Sequence, residues 1–304
     1  MPPFHVDELA AQALAGESSR GTGIRSFMPD QHRQFFALLP YIFVGAGDED
    51  GWPLASVFAG TPGFVRSPDP TTLHIGARPI AGDPIGSALQ EGADIGLLGL
   101  DFSNRRRNRA NGRIVAVDDH DLTVAVAQSF GNCAQYIQTR RPVARSFEPG
   151  AVETLSGLDD DAKRIIAEAD TFFVASRSRP GLVESGGFDI SHRGGRPGFV
   201  RIDGGTLDIP DFRGNRFFNT LGNLLGDPRA GLLFVDFATG DLLQLQGRAS
   251  IEWAARIAVP AGARRNWRCH IERGWRRRRA FPFTWQFGEF ALTTLATGLW
   301  PAAA

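Results

Sequence analysis

The chain has 304 residues, 42% of them hydrophobic, and its 33 basic residues balance 33 acidic ones. That length holds one large or two ordinary domains, and the zero net charge argues against a general polyanion-binding surface, so nucleic acid is not an expected partner. Cys133 and Cys269 cannot form a disulfide framework or a zinc site. No segment approaches the roughly 18 apolar residues of a membrane span, and "MPPFHVDELAAQ" has no apolar signal core, so a soluble cytoplasmic protein is expected.

In chain order, residues 1–34 read as an N-terminal helical segment. A helix then starts at Asp30 after Pro29, carries Phe35, Phe36, Leu38 and Leu39, and stops at Pro40. "YIFVGA", "LASVFAG", "GFVRS" and "TLHIG" read as short strands separated by turn residues. A short helix near Pro84–Gln90 precedes a strand over Asp94–Phe102. A hairpin follows, turning at Asp118–Asp121. The order then recurs: a helix in "LDDDAKRIIAEAD" with acids in its first turn, the strands "TFFVAS", "GFDISH", "GFVRI" and "TLDIP", a helix near Asn215–Leu225, and the strands "AGLLFVDF" and "DLLQLQGRASIEW". The basic tail "NWRCHIERGWRRRRAFPFTW" reads as a linker, a short helix and a final strand, within a C-terminal extension over 254–304 that packs on the rest.

The recurrence has one offset. Gly96, Leu97, Leu98, Asp101, Phe102, Gly112 and Arg113 fall, 135 residues later, on Gly231, Leu232, Leu233, Asp236, Phe237, Gly247 and Arg248. The same shift sets Ser56, Gly60 and Pro62–Val65 on Ser191, Gly195 and Pro197–Val200. A period this long is no solenoid. It reads as two copies of one unit, 35–150 and 151–253, mainly β with short helices.

"TLDIPDFRGNRFFNTLGNLLGDPRAGLLFVDF" followed by "GDLLQLQGRA" resembles the FMN-binding split-barrel group of pyridoxamine 5'-phosphate oxidase-like proteins, and "SFGNCAQYIQTRR" resembles its tandem-barrel members. The resemblance spans about Asp30 to Trp300. It implies two tandem split barrels with FMN in a cleft between them. The first reading on that basis is an FMN-dependent oxidoreductase acting on a small organic substrate, for which an anion is a candidate. Such a cleft is normally supplied by a homodimer. A separate reductase is an expected partner. The alternatives are a flavin carrier or electron-transfer module, or a split barrel for haem or a deazaflavin, with His270 as the axial candidate for haem.

Phosphate calls for Arg forks, neutral donors and a helix start. "DFRGNRFFNTLGN" offers Arg213, Arg216, Asn215, Asn219 and Thr220, with Gly214 allowing close backbone approach. The family places its phosphate-binding residues at this helix. The equivalent stretch of the first copy, "AGDPIGSALQ", has Asp83 and no arginine, so one of two sites is expected to be lost. Ser191, His192 and Arg193, on a strand that borders the flavin in split barrels, are expected cofactor ligands. One of Gln244 and Gln246 can read the pyrimidine edge, or both can line a polar surface. The run "RRRNR" places Arg105, Arg107 and Arg109 on one strand face and Arg106 on the other. The former can reach a reduced flavin or an anionic substrate, or simply blunt a sheet edge. Ser129, Asn132, Cys133, Gln135 and Tyr136 read as a cleft-lining loop.

Overall fold

The computed structural model describes residues 2–131, 133–145, 148–182, 185–254 and 259–301; Asn132 lies outside them. Helix α1 (Val6–Leu14) and helix α2 (Asp30–Leu38) precede strands β1 (Tyr41–Gly47), β2 (Pro53–Ala59), β3 (Val65–Arg66) and β4 (Thr72–Ile75). A 3-10 turn (Pro84–Ala88) leads to β5 (Asp94–Asp101), β6 (Arg106–Val117) and β7 (Leu122–Gly131), then to β8 (Arg140–Ala144) and β9 (Val152–Leu155). Helix α3 (Asp160–Glu168), capped by the Asp159 carboxylate, opens a second series: β10 (Thr171–Arg177), β11 (Phe188–Gly194), β12 (Arg201–Asp203), β13 (Thr206–Phe212), α4 (Asn219–Gly226), β14 (Arg229–Asp236), β15 (Asp241–Glu252) and β16 (Ala263–Arg277). β17 (Phe283–Phe287) and α5 (Leu292–Leu295) close the chain. No helix among the described residues is long and apolar enough to cross a membrane.

The molecule is mainly β, in two large antiparallel sheets. Their orders are β2-β1-β5-β6-β7-β4-β3 and β11-β10-β14-β15-β16-β13-β12, the same order when β1–β7 are matched with β10–β16. Neither sheet closes on itself by strand pairing among the described residues. The tail departs from the linker and short helix expected there: its residues form β16, which lies between β15 and β13, inside the second sheet. Its arginines are spent internally. Arg276 pairs with Glu153 and Asp159, Arg278 with Glu153 and Asp161, and Arg277 with Asp83.

The sheets pack on each other, and this explains the apolar runs. Along β1, Ile42 and Val44 enter the core of the first half, while Tyr41 and Phe43 enter a core shared with the second. Along β10, Phe172 and Val174 enter the second half's own core, while Phe173 and Ala175 enter the shared one. Strands buried on both faces lose the polar alternation of a half-exposed sheet. Phe43 and Phe173 stack across the junction with centroids 3.6 Å apart.

One pair of the repeated glycines, Gly96 and Gly231, sits where the halves touch. A Cβ on Gly96 would lie 2.8 Å from the Asp189 Cα in β11, and one on Gly231 would lie 2.4 Å from the Pro53 carbonyl oxygen in β2. Gly112 and Gly247 adjoin matching register shifts in β6 and β15.

Candidate functional site

A cleft of about 640 Å³, counted to its open mouth, lies where β6 of the first half faces β11 and α4 of the second. Six arginines line it: Arg107, Arg109, Arg193, Arg213, Arg216 and Arg265. Asp211 and Glu17 are the acids on its wall.

β6 delivers two of these arginines because residues two apart share a strand face. Arg109 is buried; it donates to Asp189 Oδ2 at 2.9 Å, to Ser191 Oγ at 2.7 Å and to Asn219 Oδ1 at 3.3 Å. Arg107 donates to His192 Nδ1 at 3.4 Å. Arg106 points the other way, over the Phe35 ring at 4.5 Å. Arg105 departs from the expected face. The strand begins only at Arg106, and Arg105 sits in the preceding turn at φ 62°. Its side chain donates to the Ile137 carbonyl and pairs with Glu289 at 2.9 Å, so it does not line the cleft.

β11 supplies Ser191, His192 and Arg193, which all line the cleft. Ser191 Oγ accepts from Thr220 Oγ1 at 2.9 Å. Arg193 pairs with Asp211 at 3.4 Å. Burial, then the guanidiniums of Arg107 and Arg193, hold His192 well below the ordinary histidine range. Its imidazole is therefore neutral. With Nδ1 accepting from Arg107, the proton resides on Nε2.

The helix starts later than the sequence predicts. Asn219 is the first residue of α4, and the preceding loop carries Arg216 and Phe218 in the left-handed region at φ 64° and 62°. Arg213, Asn215 and Arg216 thus belong to a loop over the cleft. The N-cap residue of α4 is Phe218, whose side chain makes no capping hydrogen bond among the described residues, so the N-cap position itself offers no acceptor to the first N–H groups. A Cβ on Gly214 would meet open space, so the chain itself does not require glycine there.

Gln244 and Gln246 lie elsewhere. The amide of Gln244 donates to the Ala55 carbonyl and to Asp83 Oδ1, both at 3.0 Å. That of Gln246 donates to Asp48 Oδ2 at 3.1 Å and to the Pro53 carbonyl at 3.0 Å. Both face β2 rather than the cleft. They do share a strand face, but it is the face that meets the other half. His270 is exposed and near Thr206 Oγ1 at 3.2 Å; it too is outside the cleft.

Sequence reasoning missed three contributors. Arg265 comes from β16, opposite Asp211 in register, and its ring neighbours are Phe218 and Trp253. Only placing the tail inside the second sheet would have found it. Glu17 follows α1 and carries no motif. Glu8 of α1 accepts from the Asn219 side-chain amide and from the His5 N–H at 2.9 Å. Gly222 lets α1 and α4 approach, since a Cβ there would lie 2.6 Å from the Glu8 Cα. Burial pushes the Glu8 carboxyl up to about 8, against those two hydrogen bonds, which favour its anion.

Several buried donors around the cleft have no partner among the described residues: Nε of Arg107, Arg109 and Arg193, Nη1 of Arg265 and Nε2 of His192. Buried polar groups are ordinarily paired, and unpaired cationic ones cost the most. These donors and the uncapped helix fit an anion with further polar groups, such as a phosphorylated ribityl chain.

No model of a known family matches the chain, and no curated protein matches it. Among solved structures it is similar to HupZ from Group A Streptococcus, at 14% identity over 39% of this chain and 98% of that one, TM-score 0.29. It is similar to an FAD-binding protein from Mesorhizobium loti, at 13% identity over 42% and 97%, TM-score 0.29. It is also similar to the Bacillus subtilis inhibitor of motility MotI/DgrA, at 10% identity over 76% and 87%, TM-score 0.22.

Proposed function

We propose that the chain is a flavoprotein that holds FMN in the arginine-lined cleft between two duplicated split-barrel units, and that it oxidises or reduces a small organic molecule. The observation that carries this reading is the convergence of unpartnered cationic donors on an uncapped helix start. In this reading Arg213, Arg216 and the first N–H groups of α4 hold the phosphate, with Asn215 in the same loop. Ser191, Thr220 and Asn219 face the ribityl hydroxyls. Arg107 and Arg109 face the ring from the other half, where their charge favours the reduced, anionic form. When bound, the flavin supplies hydride or electron transfer. The chain orients it, neutralises its charge and keeps water from its inner face. A separate reductase is the proposed electron source.

The matched sheet orders and the reciprocal contacts of Gly96 and Gly231 support the duplication. They also imply a second, equivalent cleft, where Ser56 stands for Ser191 and Gln244 for Arg109. That place is filled. Asp83 accepts from Ser56 Oγ at 2.6 Å, from the Gln244 amide at 3.0 Å and from Arg277 at 3.2 Å, all of them buried. A phosphate would meet a carboxylate there, so one FMN per chain is proposed.

The test compares FMN with riboflavin in Arg213→Ala/Arg216→Ala. FMN affinity should fall about tenfold per lost phosphate contact, and riboflavin affinity should hardly change. Equal weakening of both flavins would remove these residues from the phosphate and this reading with them.

A further inference from the structure

A smaller pocket adjoins the cleft, between β11, the end of β13 and the turn carrying Cys133 to Tyr136. Part of its lining is apolar: Phe199, Pro210 and Phe212, with the Tyr136 ring packed on Phe212 at a centroid distance of 5.3 Å. Arg107, His192 and Arg193 also line it, and these three, with Phe212, border both the cleft and the pocket.

The charges there are unequal. Arg109 is paired with Asp189, Arg193 with Asp211, and Arg265 with Asp211 and Glu17. Arg107 has no ion pair among the described residues, and its Nε is buried without a hydrogen-bond partner. Its one hydrogen bond goes to a neutral imidazole. A largely desolvated cation with no counter-ion is costly, and an anionic ligand removes that cost. Beside it, His192 Nε2 is a buried donor with nothing to donate to. A bare inorganic anion would leave the aromatic wall unused. A neutral ring would leave Arg107 uncompensated.

We propose that this side pocket is the substrate site and that the substrate is a small aromatic carboxylic acid. Its carboxylate accepts from Arg107 and from His192 Nε2–H, and its ring lies against Tyr136 and Phe212. Calling the ligand a substrate rests on FMN occupying the adjoining cleft; its binding does not.

The test is a calorimetric titration of benzoate into the full chain, with and without FMN, for the wild type, Arg107→Gln and Arg107→Lys. Benzoate should bind the wild type, at least tenfold more weakly to Arg107→Gln, and with part of that loss restored by Arg107→Lys. Acetate, a carboxylate without a ring, and benzyl alcohol, a ring without a charge, should each bind the wild type at least tenfold more weakly than benzoate. This ligand series needs no variant, so it decides even where a substitution unfolds the chain. Benzoate bound equally by the wild type and Arg107→Gln, or acetate bound as tightly as benzoate, overturns the proposal. Flavin fluorescence reads the cofactor site separately. Intact FMN binding with no benzoate binding overturns the pocket and spares the cofactor reading; benzoate binding with no FMN binding supports the pocket and sinks the cofactor reading.

Discussion

Arg109 ties the two halves together through Asp189 and Ser191 before any ligand arrives. Replacing it with Gln leaves the buried Asp189 carboxylate short of its cation, at a cost of about 3–5 kcal/mol in unfolding free energy. Arg105→Gln, outside the cleft and half-exposed, should leave both stability and FMN affinity near wild type. Denaturant unfolding and flavin titration of the two variants check this contrast. Glu8 gives a pH signature. Its folded-state pKa is raised from the ordinary 4.5 to about 8, so its neutral form is favoured by folding. Its contribution is fully present below about 4.5 and is lost as pH rises through about 8. Glu8→Gln should therefore flatten the fall of stability with pH across that window, as thermal melts would show. An unchanged slope would mean that Glu8 titrates normally. Strand periodicity made the pairing of Arg107 with Arg109 legible in the sequence. Arg105 was not legible, because where a strand begins depends on the turn that Asp101, Ser103 and Asn104 close by local hydrogen bonds. Glu8 was invisible for another reason: its burial comes from α4, more than 200 residues away.

At the scale of elements, the glycines of the repeat are spacing devices. Gly231→Ala would drive a Cβ against the Pro53 carbonyl, and backbone has no rotamer by which to yield. The expected loss is about 1–3 kcal/mol. Gly214→Ala, whose Cβ meets open space, should cost far less, and chemical denaturation of both variants tests the difference. The offset of 135 residues was readable because these contacts, and the register shifts beside Gly112 and Gly247, tolerate no side chain. The start of α4 was misread by four residues. Asn215 looks like a cap, but Arg216 and Phe218 turn left-handed first. The tail was misread more deeply. It reads as a linker and a short helix, yet it forms a central strand in which Arg276 and Arg277, with Arg278 after them, each meet acids from distant segments, and those partners were not predictable from local pattern.

Across the whole molecule, one junction of the halves holds a cleft of open donors and another holds a closed network around Asp83. The two sheets have the same strand order, and the side chains at the two junctions differ. Asp83→Ala should be strongly destabilising, by about 3–5 kcal/mol, because Arg277 is fully buried and loses its counter-ion. Asp83 drew attention in the sequence as an acid where a phosphate would need a cation; its partners Gln244 and Arg277 did not, since both reach it from the other half. The most direct test of the account is the FMN stoichiometry of the purified chain, measured by titrating cofactor-free protein and counting bound flavin against protein. One FMN per chain, bound more tightly than riboflavin, is the predicted result. No flavin binding, or two equivalent FMN per chain, would contradict it.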